Sequence, residues 1–163
     1  MSALPLGDGS PAGCYDARVK RGLSVEQLDG LLDERRLAVM STFRNDGTVL
    51  LSPLWFIWED GGFTIAMAAG DGKLKHLRRD PRVTLVVNED DFPYRGCEIR
   101  GEARLLDAPY GPIIRRIATR YVGADAAGFY DDDEGGTAAR IEPGEMRAWD
   151  FRDDLSEMGL FAG

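Results

Sequence analysis

"LAVMSTFRNDGTVLLSPLWFIWEDGGFTIAMA", residues 37–68, holds three apolar runs separated by two short polar turns. The first turn contains the dipeptide Asp46-Gly47, and the second is Asp60-Gly61-Gly62. Asp-Gly and Gly-Gly between apolar runs are typical of tight β-hairpins, because glycine adopts positive φ without a steric cost. The stretch therefore predicts three consecutive antiparallel strands, at residues 37–43, 49–59 and 63–68.

The sequence that follows adds strands to the same sheet. Residues 82–90 form an apolar run, and residues 94–106 alternate apolar and charged side chains, as a strand with one solvated face does. Residues 137–151 supply a final strand or a pair, interrupted at Glu142-Pro143-Gly144. Six or seven antiparallel strands with few helices favour a small barrel over a sandwich, because closure removes exposed edges. We therefore expect a mainly β (α+β) fold.

Three helices are expected around the strands. Ser24 and Gln27 have capping-box spacing and open a helix of about three turns. Gly70 to Gly72 and the following Pro81 bound a short helix in which Leu74 and Leu77 face inward. Residues 109–123 begin with prolines and end at glycine, which predicts a third helix. Short helices of this kind flank a sheet without forming a second layer of their own.

The length of 163 residues suits one domain. We expect a flexible N-terminal arm at 1–22, a barrel domain at 23–152 and a C-terminal tail at 153–163. No segment combines a positive start with an apolar run, and the two cysteines, Cys14 and Cys97, lie far apart. We therefore expect a soluble cytoplasmic protein without membrane contact, in which Cys97 packs as a small core residue.

The basic residues are concentrated in one place. Residues 73–82 hold five Lys or Arg and the only histidine, His76, in a chain of formal net charge −8. So acidic a chain lacks the broad basic surface that binds nucleic acid. The helix start beside Gly70 and Gly72 offers free N–H groups to an anion, with Lys73 in its first turn. The alternative is a solvated cationic helix face, with Asp71 as N-cap occupying some of those N–H groups.

Several kinds of chemistry find no support in the sequence. There is no phosphate-binding loop of the G-x-x-x-x-G-K-[ST] type and no strand-to-helix G-x-G-x-x-G. A single histidine cannot form the usual zinc sites, and His76 has no obvious nucleophile to serve as a base. An organic cofactor would therefore have to supply any difficult chemistry.

Five segments in order resemble a known family. They are "STFRNDGTVLLSPLWFIWEDGGFTIAM", "KLKHLRRDPRVTLVV", "DFPYRGCEIRGEARL", "RYVG" and "RIEPGEMRAWDF". Together they resemble the split β-barrel proteins related to pyridoxamine 5′-phosphate oxidase, and most of all the branch that uses the deazaflavin coenzyme F-420. The resemblance implies a split β-barrel homodimer, with F-420 or FMN held between the subunits, that transfers hydride to or from a small organic substrate.

The same resemblance implies cofactor-binding positions. In "KLKHL", Lys73 and Lys75 take the places of the family's lysine and arginine, and His76 replaces its asparagine. Asp71 stands where many members have Ser, Thr or Arg. The complete implied set is Thr42, Ser52, Pro53, Leu54, Trp55, Gly72, Lys73, Lys75, His76 and Arg100. No catalytic side chain is implied.

Two other functions stay open at this point. One is a non-catalytic cofactor carrier or sensor of the same fold, which the Asp71 departure favours. The other is an interaction module whose basic helix docks on an acidic partner surface. Trp55, Phe56 and Trp58 are either core residues or walls of a substrate pocket, and Tyr94 and Tyr121 are either packed side chains or substrate-side hydroxyls.

Overall fold

The computed structural model describes residues 30–130 and 135–152. In these ranges one antiparallel sheet has seven strands in the order β2-β1-β5-β6-β7-β4-β3. The strands are β1 Ala38–Phe43, β2 Val49–Leu54, β3 Ile57–Glu59, β4 Gly62–Ala68, β5 Arg82–Asn88, β6 Arg95–Leu105 and β7 Gly136–Asp150. The expectation of a mainly β fold with six to seven antiparallel strands is confirmed. The N-terminal arm, Cys14, most of the helix expected after Ser24 and the C-terminal tail lie outside the described residues.

The helices flank the sheet. They are α1 Gly72–Arg79, α2 Tyr110–Val122 and the short α3 Ala124–Ala127, which a 3-10 turn follows. Leu74 and Leu77 of α1 are buried as the sequence predicts. Ile114 and Ile117 of α2 are buried as well. Each helix therefore contributes one apolar face to the packed interior.

The strand predicted at 49–59 is wrong as a single element. The chain leaves the sheet at Trp55 and Phe56, so that β2 pairs with β1 and β3 pairs with β4. Phe56 is fully buried with its ring centroid 5.2 Å from that of Phe63, and Trp55 stacks on Tyr121 at 5.0 Å. Burial of these aromatic rings is worth more than continued strand pairing. Since β2 and β3 are the two edges of the sheet, this short link curls the sheet into a half-barrel.

The interruption expected at Glu142-Pro143-Gly144 is absorbed without ending the last strand. β7 runs unbroken, and the pairing register shifts between Ile99 and Gly101 of β6. Gly101 faces Pro143 so closely that a Cβ at this position would lie 2.5 Å from the Glu142 carbonyl oxygen. The irregularity is a β-bulge that only glycine fits.

The interior is filled by the inner faces of the strands. Cys97 is fully buried, and desolvation raises the pKa of its thiol to about 11. The thiol is therefore a protonated core group at neutral pH, as the sequence predicts. The largest fully buried side chains include Phe56, Phe63, Ile65, Leu85, Ile99 and Ile141.

An ion-pair network joins the segment before β1 to the β5–β6 connection. The guanidinium of Arg95 pairs with Glu89 and lies 2.8 Å from Glu34, and Arg36 lies 2.6 Å from Glu34 and 3.3 Å from Glu89. Hydrogen bonding from Arg95 lowers the pKa of Glu89 below its ordinary value of 4.5, against the opposing effect of desolvation. Both carboxylates are therefore ionised where they are paired.

The outer surface of β1 and β2 carries exposed apolar side chains. Val39 faces Pro53 across the two strands, and Leu51 faces Ser41, so these residues share the outer face. Leu51 is 65% exposed. The exposed members of this surface, which we call the apolar face, are Leu37, Val39, Val49, Leu51 and Pro53.

Candidate functional site

The start of α1 is already capped by a side chain of the protein. Asp71 accepts a hydrogen bond from the Lys73 backbone N–H at 2.9 Å, and its other oxygen lies 2.6 Å from Lys73 Nζ. One carboxylate thus satisfies a helix-terminal donor and neutralises the first-turn ammonium. The expected capping by Asp71 is confirmed. The positive charge of Lys73 is already balanced by the Asp71 carboxylate.

A basic cleft lies between α1 and the β1–β2 turn. Its volume is about 280 Å³. Arg79 donates to Asn45 Oδ1 and to the Phe43 carbonyl, which fastens the helix to the turn. The cleft is lined by Arg44, Asn45, Asp46, Lys75, His76 and Arg79. Three permanent cations thus meet a single carboxylate on its walls.

The charges of the turn are held by local contacts. Asp46 accepts hydrogen bonds from the Thr48 hydroxyl at 2.6 Å and from its N–H at 2.9 Å, and these bonds lower the pKa of the Asp46 carboxyl. Arg44 donates to Thr48 Oγ1 and to the Val49 carbonyl. Lys75, by contrast, has no ion pair or hydrogen bond among the described side chains. Its ammonium is the cation of the cleft with most freedom to meet a ligand.

Two of the implied cofactor residues meet at the base of this cleft. Thr42 is fully buried on the inner face of β1, and its Oγ1 lies 3.0 Å from Nδ1 of His76. The contact links an interior strand position to a helix residue that lines the cleft. The structure therefore brings Thr42 and His76 into contact, and Lys75 lines the same cleft as His76.

The implied residues of β2 lie along the open edge of the sheet. Ser52 faces Met40, and Leu54 faces Ala38, which places both on the inner face, whereas Pro53 lies on the outer face. Ser52 and Leu54 are half-buried although they face inward. Among the described strands β2 has no neighbour beyond its free edge, so its outer backbone groups are open to a flat ligand or to another chain.

Three of the implied residues neither line the basic cleft nor belong to β2. Arg100 lies on the outer face at the bulge and pairs with Glu98 at 3.1 Å and Glu145 at 3.3 Å. Trp55 is stacked on Tyr121, whose hydroxyl donates to a backbone carbonyl at 2.7 Å. Gly72 opens α1 with nothing within 4 Å of an added Cβ, so the space beside it is free.

Sequence reasoning missed the contribution of the turn. Arg44, Asn45 and Asp46 signal only a hairpin in the sequence, and nothing in the position of Arg79 in the sequence links it to that turn. Arg79 is exposed, and it also binds the turn across 34 positions of sequence. A short polar turn with a basic helix downstream is a weak signal, because no spacing rule predicts that the two will meet.

A second groove runs over the apolar face. It has a volume of about 320 Å³, with Val39, Pro53 and Val86 among the residues that line it. Arg35 and Asp90 line it as well. Its apolar floor is continuous with the exposed side chains of β1 and β2.

No described group of three or more His, Cys, Asp or Glu side chains could hold a metal ion. None of the helices within 30–130 and 135–152 has the length and apolar character needed to cross a bilayer.

The chain matches the family model described as pyridoxamine 5′-phosphate oxidase over residues 24–150. No curated protein matches it.

Solved structures share the fold. A conserved hypothetical protein of Mycobacterium tuberculosis is 24% identical with a TM-score of 0.72, over 90% of this chain and 94% of that one. An F-420 reductase is 24% identical with a TM-score of 0.61, over 72% of this chain and 94% of that one. The heme storage protein HutZ of Vibrio cholerae is 12% identical with a TM-score of 0.63, over 82% of this chain and 98% of that one. At these identities the likeness establishes the fold, which hosts more than one function.

Proposed function

The chain belongs to the pyridoxamine 5′-phosphate oxidase family, and from that membership we propose that it is an oxidoreductase that binds F-420 or FMN. Its reaction is the transfer of hydride between the bound cofactor and a small organic substrate. The cofactor ring supplies the redox chemistry, and the protein binds it, orients it and excludes water.

The basic cleft is the observation that carries this proposal. F-420 and FMN both have an anionic tail, and a concentration of cations on a protein of net charge −8 is an unusual local feature. Arg44, Lys75 and Arg79 provide positive charge, and His76 provides a further hydrogen-bonding group. The tail would lie in this cleft, within reach of Lys75.

The open edge of β2 suits the ring. Within residues 30–130 and 135–152 its backbone N–H and C=O groups have no strand partner on one side, and Ser52 and Leu54 leave half-buried surface beside them. A planar ring lying there would accept hydrogen bonds from the backbone N–H groups of β2 and donate hydrogen bonds to its C=O groups. We therefore place the ring along β2, on the same side as Thr42.

A second copy of the chain completes the proposed site. The apolar face is too hydrophobic to be a favourable water-exposed surface, and it adjoins the free edge of β2. A two-fold symmetric dimer that buries this face would bring the partner up to the free edge of β2, beside the proposed position of the ring. Replacing Leu51 by Glu should then convert a dimer into a monomer, measured by light scattering after size exclusion. A dimer that survives this change would use a different surface.

A cofactor carrier or sensor is the second candidate. The pairing of Asp71 with Lys73 removes one cation and one N–H group from the set available to a tail, which favours weaker binding. Turnover separates the two candidates. An oxidoreductase oxidises reduced F-420 or FMN in the presence of enones or quinones, whereas a carrier binds the cofactor and leaves its redox state unchanged.

A pair of lysine variants tests the site itself. Lys75→Ala should weaken cofactor binding about tenfold or more, because a charge-assisted contact contributes about 1.5–3 kcal/mol. Lys73→Ala is the matched control and should have a smaller effect, since its ammonium is already neutralised by Asp71. Titration of F-420 and FMN fluorescence gives both affinities. Equal losses, or no binding of either cofactor, would contradict the proposed site.

A further inference from the structure

The groove over the apolar face contains a row of apolar side chains. Val86 of β5 faces Val39 of β1, and Val39 faces Pro53 of β2, so the three lie side by side on the outer face of the sheet. All three line the groove. Apolar surface of this kind is unfavourable in water, and a groove accepts inserted side chains. The groove is therefore suited to an apolar segment of chain.

The end of β7 lies next to this groove. Gly96 of β6 stands between Asn88 of β5 and Trp149 of β7, and an added Cβ at Gly96 would overlap the Trp149 ring. The indole therefore lies across β6, and its Nε1 donates to Asn88 Oδ1 at 3.2 Å. Asn88 itself lines the groove. The chain thus leaves the sheet after β7 at the same end of the strands as the groove.

The sequence that follows Arg152 has the composition and the length to fill the groove. Residues 153–163, "DDLSEMGLFAG", combine four large apolar side chains with three acids and no lysine, arginine or histidine. The four strand spacings from β7 to β2 come to about 20 Å. Eleven extended residues span up to about 35 Å, which is more than the groove requires. The large apolar side chains of the tail are Leu155, Met158, Leu160 and Phe161.

Arg35 adds a charge that acids of the tail can neutralise. It is an exposed lining residue with no ion pair or hydrogen bond among the described side chains. Arg36 beside it is already paired with Glu34 and Glu89. Asp90 also lines the groove and repels an acidic segment, so we expect the acids of the tail beside Arg35.

We propose that the C-terminal tail, residues 153–163, docks in the groove of its own chain. Its apolar side chains contact the row on β5, β1 and β2, and its acids lie beside Arg35. Because β7 tethers the tail, its effective concentration at the groove exceeds that of a free partner. The inference goes beyond the proposed function and stands without a bound cofactor. Val49 and Leu51 of the apolar face do not line the groove, so they stay available to a second copy.

Methyl NMR of the full-length chain tests the contact. Leu160→Ser and Phe161→Ser, made together, shorten the apolar part of the tail without altering a described residue. The methyl signals of Val39 and Val86 should shift, because they lose the side chains that cover them. Val122, 45% exposed on α2, is the matched control and should not shift. Unchanged signals of Val39 and Val86, or an equal shift at Val122, would overturn the inference.

Photo-cross-linking identifies which chain supplies the tail. Phe161→benzoylphenylalanine is prepared in nitrogen-15-labelled and unlabelled full-length chains, which are mixed until subunits have exchanged and then irradiated. Mass spectrometry should find tail and groove peptides of the same isotope joined. Products that join the two isotopes would assign the groove to the tail of another chain and overturn docking within one chain. Cross-links that miss the groove would overturn the docking itself.

The control for the probe is Phe129→benzoylphenylalanine. Phe129 is 87% exposed and does not line the groove, so this variant should give no cross-link to it. Groove products of equal yield from both positions would show non-specific labelling and contradict the proposal.

A charge reversal tests the contribution of Arg35. Arg35→Glu should lower the yield of the cross-link from position 161 about twofold, the size expected for an exposed ion pair. Arg100→Glu makes the same change of charge on the outer face of β6 and should leave the yield unchanged. Equal losses in the two variants would remove Arg35 from the docking site.

Leu51→Glu separates docking of the tail from dimerisation. Leu51 does not line the groove, so the cross-link within one chain should persist in this variant even where the dimer is lost. Loss of the cross-link together with the dimer would overturn docking within a single chain.

Discussion

The two halves of the sheet differ in how completely they are covered. In the half formed by β4, β6 and β7, the inner face is filled by fully buried side chains and α2 packs alongside. In the half formed by β1 and β2, the outer face exposes apolar side chains and even the inward residues of β2 remain half-buried. We call these the closed half and the open half. The closed half supplies stability, and the open half holds the candidate site.

This difference follows from the position of each strand in the sheet. β6 and β7 have neighbours on both sides, whereas β2 has one neighbour and a free edge. An edge strand with exposed apolar residues and few charges is costly for a monomer, because it invites pairing with other chains. We therefore propose that the open half is the surface that binds a ligand and a second subunit.

A core truncation in the closed half is the strongest test of the difference in stability between the two halves. Phe63 is fully buried against Phe56 and Trp58. Phe63→Ala should lower the free energy of unfolding by about 3–5 kcal/mol, measured by urea denaturation. Leu51→Ala in the open half, measured at a protein concentration low enough to dissociate a dimer, should change it by about 0.5 kcal/mol or less. Comparable losses of unfolding free energy in the two variants would show that the two halves do not differ in their contribution to stability.

The ion-pair network at the junction of the halves predicts an acid dependence. The pKa of Glu89 is lowered in the folded protein, so the ionised carboxylate stabilises the fold above about pH 4.5. This stabilisation is lost as pH falls through the lower pKa that Glu89 has in the folded protein. Glu89→Gln should lower the free energy of unfolding by about 2 kcal/mol at pH 7 and should flatten its decline below pH 4.5.

Glu145→Gln is the control for this change. Its carboxylate is exposed and lies 3.3 Å from Arg100, and exposed pairs contribute little. Thermal or urea unfolding between pH 3 and 7 measures both variants. An acid profile for Glu89→Gln that matches the unaltered protein would show that the network does not join the halves.

Alanine substitutions at two glycines are expected to differ in their cost. Gly101→Ala in the closed half places a Cβ 2.5 Å from the Glu142 carbonyl oxygen, and backbone cannot move aside cheaply, so a loss of about 1–3 kcal/mol is expected. Gly70→Ala, in the connection from β4 to α1, meets nothing within 4 Å and should change the free energy of unfolding by about 0.5 kcal/mol or less. Chemical denaturation compares the two. If Gly101→Ala is tolerated, the backbone of the bulge must be able to move away from the added Cβ.

Local sequence patterns predicted the elements well. The glycine and proline boundaries of α1 and the inward positions of Leu74 and Leu77 follow from spacing alone, and the structure confirms them. The alternation in β6 likewise predicted a buried Cys97. These features depend on neighbours in the chain, which is the information that a pattern contains.

Long-range packing was not predictable in the same way. The apolar run through Trp55 and Phe56 continues a strand pattern, and the chain leaves the sheet there only because Phe63 and Tyr121 receive the two rings. The bond from Arg79 to Asn45 similarly depends on where the helix docks. The resemblance names Thr42, Lys75 and His76 but not the turn that forms the other wall of the cleft.

The order of the strands in the sheet also has a kinetic consequence. β1 and β2 are joined by a short turn and can pair early, whereas β4 must wait for β7, which comes from far along the chain. Folding rates fall as contacts become more distant in sequence. The half that is tightest in the finished molecule is thus the one that closes last, and during synthesis the β1–β2 hairpin leaves the ribosome well before its eventual partners exist.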